Sequence, residues 1–510
     1  MKITVRATAA LAVAATLSAC ALTPPAKHVD AQAPQQWQAP LPSAASAPAA
    51  SPSSAPASAP AASPSGARLP HNGSRADLAN WWRLQSDALL AQLIESAQTV
   101  SPTVASAASR IAQSRADRVA AGAALVPSLD GAGSISRANQ QSLQPMGTTS
   151  QVAVQTAWEI DLFGGNRATR DAAQARLDSA QAGWHDARVS VAAEVANQYY
   201  SLRACERLLA VAKEDAASRA DTARLTGLTA TAGFESPANL ALARASAAEG
   251  NNRYLAQRAS CDVTVKVLVA LTAMPEPALR QQLASGAADG VAAADAVAPT
   301  LAITTLPADT LNQRPDVFTA EREVTAASAE VGNAQAQRYP RLTLSGSVGI
   351  ANFRSGGENI KTDTWTIGPL SVSVPIFDAG RRRANVDAAG ARYDYAVANY
   401  RATVRQAVSE LEQALVNLDG TGAREADAQT ALDGYRVNFT AVEDRYKNGL
   451  ASLFELEDAR RTRLNAEQTV INLRRERSAA WVSLYRAAGG GWSAPADGAP
   501  AIANANANVR

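Results

Sequence analysis

Residues 446–460 have the sequence YKNGLASLFELEDAR, and Gly449 within them separates two long regions of helical periodicity. A related sequence, GFESPANLALAR, begins at Gly233, and the two align glycine to glycine 216 residues apart. The junctions FGGNR at Phe163 and FDAGR at Phe377 repeat at nearly the same distance and in the same order. The simplest explanation is an internal tandem duplication, in which Gly233 and Gly449 are the turns of two helical hairpins.

The N-terminus has the features of a lipoprotein signal peptide, which we assign to residues 1–19. Lys2 and Arg6 precede an apolar run that ends in Leu-Ser-Ala before Cys20. This ending resembles a bacterial lipobox, so we expect Cys20 to carry lipid such as palmitate and to become the first residue of the mature protein. The alternative is an ordinary signal followed by an unmodified cysteine. Residues 20–75 are rich in Ala, Pro and Ser and predict a flexible tether, because little apolar surface is available to offset the entropy of ordering.

Composition and scattered histidines argue against several functional classes. With 47% hydrophobic and 18% charged residues and a net charge of +2, the chain has no basic block that would predict nucleic-acid binding. No run approaches the roughly 20 apolar residues of a membrane-spanning helix, so any membrane crossing has to be made by strands. The three histidines, His28, His71 and His185, are far apart, and Gly164-Gly165-Asn166 lacks the lysine of a phosphate-binding loop. We therefore expect no enzyme activity, no metal site and no cofactor.

Each half of the chain contains a predicted pair of strands. Apolar and polar residues alternate over residues 151–162, and a weaker glycine-rich strand at 128–138 pairs with them across a polar loop at 139–149. The second half repeats this arrangement with strands at residues 342–350 and 365–377. Four strands per chain follow.

A very long helix is predicted after each strand pair. Residues 166–229 and 381–447 contain no proline, and a helix of that length would extend about 95–100 Å. Apolar residues repeat every seven positions in both regions, and the many alanines allow close helix approach, so coiled-coil packing is expected. Shorter helices return from the two glycine turns and end near Thr272 and Ala488.

These elements divide the chain into successive segments. Repeat 1 covers residues 76–274 and repeat 2 covers 307–488, each with a helix, two strands and a long helical hairpin. Residues 275–306 form a connecting segment that we place outside the helical trunk, and residues 489–510 are predicted to be a disordered tail.

Several motifs in this frame resemble those of a known family, the outer-membrane factors of tripartite efflux systems of the TolC and OprM type. The lipobox makes the chain most similar to the NodT-like lipoprotein branch. The motifs span the folded part of the chain and occur in family order: Trp81-Trp82, Arg314-Pro315-Asp316, Tyr339-Pro340, the Phe377–Arg381 junction and Tyr446–Arg460.

The resemblance implies a mixed α and β membrane protein in the cell outer membrane that extends into the periplasm. Three chains would form a homotrimer, with a 12-stranded β-barrel built from four strands per chain and continued by a long periplasmic α-helical coiled-coil barrel. The implied partners are a periplasmic adaptor (membrane fusion) protein and an inner-membrane pump, together with outer-membrane lipid. The pump is expected to be of the resistance-nodulation-division (RND) kind.

The strand count supports the trimer by a separate argument. Four amphipathic strands cannot close a barrel, and an open edge in lipid would leave backbone groups without hydrogen bonds. Three chains give twelve strands, enough to surround a lumen. Val152, Val154, Trp158 and Ile160 would then face lipid and Gln151, Gln155 and Glu159 would face water. The alternative is a soluble β-sandwich fragment, for which nothing else in the chain supplies a core.

The predicted function is a passive exit duct for drugs or other small amphipathic compounds, gated at the periplasmic tip. Within the same fold, a channel for type I polypeptide secretion is the alternative. A structural coiled-coil envelope lipoprotein is a further one, but a spacer has no use for lipid-facing strands. Export of drugs would connect the protein to multidrug resistance.

Two sets of site residues follow from the hairpins. By family resemblance Glu455 and Asp458 match acidic residues that constrict the periplasmic gate, and Tyr446 matches a tyrosine of the tip contacts; a solvated helix face is the alternative for the two acids. Cys205 lies 28 residues before Gly233 and Cys261 lies 28 after it. In an antiparallel hairpin the two cysteines stand at the same height, so an oxidising periplasm favours a disulfide, with two buried thiols as the alternative.

Overall fold

The structure is a computed structural model that describes residues 22–34, 36, 38–39, 87–140, 144–285, 311 and 313–492. The predicted signal peptide, Cys20, most of the tether and the Trp81-Trp82 motif lie outside the described residues. In the described part, helices and strands alternate in two similar blocks, in the order α1 Ala88–Val100, α2 Pro102–Ala123, β1 Ser128–Gln140, β2 Gln144–Ile160, α3 Gly165–Thr231, α4 Pro237–Thr272, α5 Glu276–Ser285, α6 Pro315–Ala336, β3 Arg341–Ser355, β4 Glu358–Ser373, α7 Arg381–Lys447 and α8 Leu453–Ala487.

The four strands form one antiparallel sheet in the order β1-β2-β3-β4. The predicted pairs are present, and β2 of the first repeat also pairs with β3 of the second, with Val152 opposite Ile350 and Val154 opposite Val348. Most of residues 139–149, predicted as a loop, are strand, because Thr148 and Thr149 pair with β1 and the ladder satisfies their backbone groups whatever the polarity of their side chains. Strand β4 starts seven residues earlier than predicted and ends at Ser373, before Pro375, which has no N–H to donate.

The two long helices have the predicted extents within two residues, and each has 67 residues. Both end in the same glycine turn. Gly233 and Gly449 have φ values of +82° and +73°, which an L side chain disfavours. The N–H of Phe234 donates to the carbonyl of Thr229 at 2.9 Å and that of Leu450 to Arg445 at 2.7 Å, the six-residue hydrogen bond of a Schellman motif. The glycines at these two positions are therefore required by the backbone.

The chain comprises two compact units, the first formed by residues up to 31, 108–183 and 318–403. This unit contains the sheet and two small clusters of buried alanine and valine on α3, α6 and α7, among them Ala172, Ala326 and Ala389. Residues 22–30, the start of the predicted tether, are also part of this unit. They are hydrogen-bonded to α6, for example from Ser328 Oγ to the carbonyl of Pro25 at 2.6 Å, so this stretch is held in place.

The second unit is formed by residues 32–107, 184–317 and 404 onward and contains the largest core. Leu90, Val195, Leu268, Leu411 and Trp481 are among its buried members.

Two segments of the second unit differ from the predictions. Helix α5 lies in the segment that we placed outside the trunk, yet Leu279 and Leu283 are buried in this core because they lie four residues apart on one helix face. Residues 489–492, predicted as the start of a disordered tail, continue from α8 in a turn, in which Tyr485 donates to the carbonyl of Gly490 at 3.3 Å.

None of the helices in the described ranges combines the length and the apolar character needed to cross a membrane.

Candidate functional site at the hairpin turns

The turn at Gly449 leads into a capping box at the start of α8. Ser452 is the N-cap, and its hydroxyl accepts a hydrogen bond from the N–H of Glu455 at 3.2 Å. In return the Glu455 carboxylate accepts from the N–H of Ser452 at 2.7 Å and from its hydroxyl at 3.0 Å. These hydrogen bonds from Ser452 lower the pKa of the Glu455 carboxyl below its usual range. Glu455 therefore has a structural role that the sequence analysis did not assign to it.

Asp458 lies one helical turn further along the same helix face. Its carboxylate forms an exposed ion pair with Arg461, and Glu455 has Arg445 at 4.0 Å. Glu455 and Asp458 are both about half exposed, so one chain presents two negative charges side by side next to the turn. Whether these charges line a constriction depends on the assembly, and this role stays a prediction.

Tyr446 joins the two hairpins. Its hydroxyl lies 3.0 Å from Thr226 Oγ1 on α3, and its ring packs against a small core that contains Ala243 and Leu456. The first hairpin thus contributes Thr226 and Ala243, and the second contributes Tyr446 and Leu456, to one contact next to the turns.

A buried charged network, which the sequence analysis missed, connects α3 and α8 close by. Arg219 donates to Asp215 at 2.9 Å and to Glu457 at 2.6 Å, and Arg460 forms an ion pair with the other oxygen of Glu457. Arg460 is 0% exposed and also donates to Ser218 at 3.0 Å and to Thr222 at 3.1 Å. Burial lowers the pKa of the Arg460 guanidinium. Two cations and two anions therefore balance one another where the hairpins meet.

The shape of α4 permits this network. Gly250 lies against Arg219, and a Cβ at position 250 would be 2.7 Å from Arg219 Cδ, so a side chain there would displace the guanidinium. The duplication does not repeat the arrangement, because Tyr435 and Ala431 stand where repeat 1 has Arg219 and Asp215. The available sequence signal was the pair of charges four residues apart, at 215 and 219, within an alanine-rich helix.

The sheet of the first unit has an exposed apolar face. Strand register places Val152 and Val154 on the same face as Ile350, Val348 and Trp365, and all five side chains are between 46% and 70% exposed. Gln151, Gln155 and Glu159 alternate with them and point to the opposite face. An apolar patch of this extent marks a surface that contacts lipid or another protein.

A family assignment accounts for both the helical hairpins and the exposed apolar face of the sheet. The family model described as outer membrane efflux protein matches residues 93–273 and 306–490. The chain belongs to the outer membrane efflux protein family. It is thus a protein of the outer membrane that takes part in efflux, as the sequence motifs predicted, and the two matched ranges correspond to the two halves of the duplication.

Individual relatives agree with this assignment. The chain is 30% identical over 377 residues to the solvent efflux pump outer membrane protein SrpC of Pseudomonas putida, a match that covers 72% of this chain and 78% of that protein. It is 28% identical to nodulation protein T of Rhizobium leguminosarum over 84% of this chain and 89% of the relative. The crystal structure of the outer membrane protein VceC of Vibrio cholerae is similar with a TM-score of 0.68 and 26% identity, covering 81% of this chain and 98% of VceC.

The two cysteines of the first hairpin of this outer membrane efflux protein lie side by side. Cys205 and Cys261 have Cα atoms 5.6 Å apart and are joined through their sulfurs, and both are buried in the core of the second unit. In the second hairpin Thr421 and Arg477 occupy the equivalent positions, and Arg477 forms an ion pair with Glu425. The first hairpin is therefore covalently cross-linked at these positions, whereas the second hairpin has an ion pair at the equivalent level along its axis.

Among the described residues of this family member, no group of three or more His, Cys, Asp or Glu side chains is arranged to hold a metal ion.

Proposed function

We propose that three copies of this chain form the passive outer-membrane exit duct of a tripartite efflux pump of the RND kind. The duct receives drugs or other small amphipathic compounds from the inner-membrane pump through the periplasmic adaptor protein. Cys20 anchors each copy by lipid, and the hairpin turns form the periplasmic gate.

The exposed apolar face of the sheet carries this proposal. In lipid, the face with Val152, Val348 and Trp365 needs no further cover, whereas in water an exposed apolar face of this kind would promote aggregation. Strands β1 and β4 each have only one neighbour in the described sheet. Pairing β4 of one copy with β1 of the next gives each edge strand a partner, and twelve strands close around a water-filled lumen lined by the polar face.

The contacts between the hairpins support a gate that is closed at rest. Tyr446 to Thr226 and Glu457 to Arg219 both tie the second hairpin to the first. Opening by movement of the second hairpin requires both contacts to break, which gives the adaptor a defined set of interactions to overcome. The first hairpin, with Cys205 joined to Cys261, is the less mobile of the two.

Conductance across a planar bilayer tests the proposal. Purified full-length protein, shown to be trimeric by light scattering, is expected to give ion-conducting events, and a Trp365→Asp variant is expected to insert poorly because the charge lies on the lipid-facing side. The matched control Thr364→Asp places the same charge on the opposite face of β4 and is expected to insert normally. Trimers that fail to conduct even when Tyr446→Phe and Glu457→Gln remove the contacts between the hairpins, or equal insertion of the two strand variants, would refute the duct.

A further inference from the structure

The first described residues of the chain are held against α6 by a series of hydrogen bonds. Residues 22–30 form what we call the strap, and its carbonyls accept from successive turns of α6: Lys27 from Thr325 at 3.1 Å, Pro25 from Ser328 and Thr23 from Gln335 at 3.2 Å. Decreasing residue number in the strap thus corresponds to increasing residue number on α6. The strap runs antiparallel to α6, and its Leu22 end is directed toward Arg341, where β3 begins.

Three further contacts show that the strap is built into the first unit. Tyr393 on α7 donates to the carbonyl of Ala26 at 2.9 Å, and His28 Nδ1 lies 2.8 Å from the carboxylate of Glu321. A Cβ added at Gly332 would lie 3.6 Å from Pro24, which is an ordinary van der Waals distance, so the strap lies in contact with α6 at this point.

A cavity of about 550 Å³, largely open to solvent on one side, lies beside the first residues of the strap. Its walls are mostly apolar and come from the strap, the junction between β2 and α3, and α6: Leu22, Pro24, Leu162, Phe163, Ala168 and Ala329. Phe163 is fixed there by stacking on Tyr339, with ring centroids 4.8 Å apart. The polar residues Lys27, Arg167 and Asp171 also line it. The volume lies within the range of about 300–1,000 Å³ that is usual for small-molecule sites.

One residue that lines the cavity is close in sequence to Cys20, and this suggests what occupies the cavity. Leu22 is one of its walls, and Cys20 precedes Leu22 by two residues, which span at most about 7 Å of chain. An extended fatty acyl chain is longer than this gap. A lipid on Cys20 would therefore be tethered at the cavity at a high effective concentration, far above that of a free lipid in the periplasm.

We propose that this cavity is the seat of an acyl chain of the protein's own lipid at Cys20. The inference rests on the lipidation included in the proposed function. In the bilayer an acyl chain gains little by moving into an apolar cavity, but in water the same move removes apolar surface from solvent. The seat thus shields the acyl chain from water while the lipoprotein crosses the periplasm. It also orients the lipid anchor beside the sheet.

Photo-crosslinking tests the seat in the full-length protein. Cells fed a diazirine-bearing palmitate analogue supply the probe. The cells are irradiated while the protein is being synthesised and exported, so that the lipoprotein is captured before assembly, and the crosslinked peptides of the unassembled protein are mapped. Crosslinks are expected on the peptide containing Leu162–Ala168 and on the α6 peptide containing Ala329. Intact mass of the mature N-terminus first establishes whether Cys20 is acylated, so a failure of lipidation is distinguished from a failure of the seat.

A pair of variants on α3 sharpens the test. Ala168→Phe fills the cavity and is expected to reduce the crosslinks on these peptides several-fold. Ala173→Phe fills a separate cavity of about 550 Å³ on the same helix and is expected to leave them unchanged. The mapping on wild-type protein does not depend on either variant folding. Acylated, unassembled protein without crosslinks on these peptides would overturn the proposal.

Discussion

At the residue scale, the two acids beside the second turn are predicted to set ion selectivity. Three chains would gather six carboxylates from Glu455 and Asp458 near the axis, and such a ring attracts cations. The double variant Glu455→Gln with Asp458→Asn is expected to lose most of the cation preference, measured as the reversal potential in a salt gradient. Because glutamine at position 455 still completes the capping box, the substitution removes charge while keeping the turn intact.

The control for this experiment is Glu476→Gln, which removes an exposed charge of α8 far from the turn and should leave the reversal potential unchanged. Lowering the pH provides a second test. Since hydrogen bonds from Ser452 lower the pKa of Glu455, its charge and its stabilisation of the turn are present above the ordinary carboxyl pKa and are lost only as pH falls below it. An unchanged cation preference in the double variant would place selectivity elsewhere.

The buried network predicts a second effect at the residue scale. Glu457→Gln leaves the guanidiniums of Arg219 and Arg460 with Asp215 as their one remaining carboxylate in the network. Removing one partner of a buried ion pair costs on the order of 3 kcal/mol, and here the cost falls on the state in which the hairpins touch. We expect a higher open probability in single-channel recordings. Glu467→Gln, which breaks an ion pair of similar exposure within the second hairpin, is the matched control, and equal open probabilities would show that the network does not hold the gate.

At the scale of elements, the two hairpins differ in how they are clamped. The cysteines at 205 and 261 close a loop of 56 residues, and in the chain-entropy model a disulfide of this span adds about 4 kcal/mol to hairpin stability. The double variant Cys205→Ser with Cys261→Ser is therefore expected to lower the thermal midpoint of the protein. Thiol labelling under denaturing conditions, with and without reductant, checks the bond directly. Full labelling without reductant would disprove it. Reductant should leave the serine variant's thermal midpoint unchanged.

At the scale of the whole molecule, the lipid on Cys20 is expected to promote assembly. The barrel requires strands from three chains, so confining the chains to one membrane surface raises the rate at which edges meet. A Cys20→Ala variant, exported by an unrelated signal that is cleaved without lipidation, should yield less trimer in outer-membrane fractions. The same unrelated signal placed before an intact lipobox is the control. Equal amounts of trimer would restrict the lipid to another role.

Local patterns alone determined the duplication, the two long helices and their glycine turns. The duplication is visible because the same short motifs recur about 216 residues apart. The helices and turns follow from neighbouring residues: heptad spacing, the absence of proline, and a left-handed position that glycine occupies without strain. The family was predicted from motifs that occur along the duplicated chain in the order typical of that family. The capping role of Glu455 could also be predicted from the sequence, because the Ser-x-x-Glu pattern involves only neighbouring residues.

The rest depended on residues far apart in the chain. Strands β1 and β2 extend through polar residues because a neighbouring ladder, including β3 some 200 positions later, satisfies their backbone groups. Leu279 is buried because helix α5, which lies outside both repeats, packs against an apolar core. Arg460 is buried because Glu457 and Asp215 balance its charge. Burial, charge pairing and strand extension are properties of partners, and partners come together only when the chain folds, so the tertiary structure alone decided them.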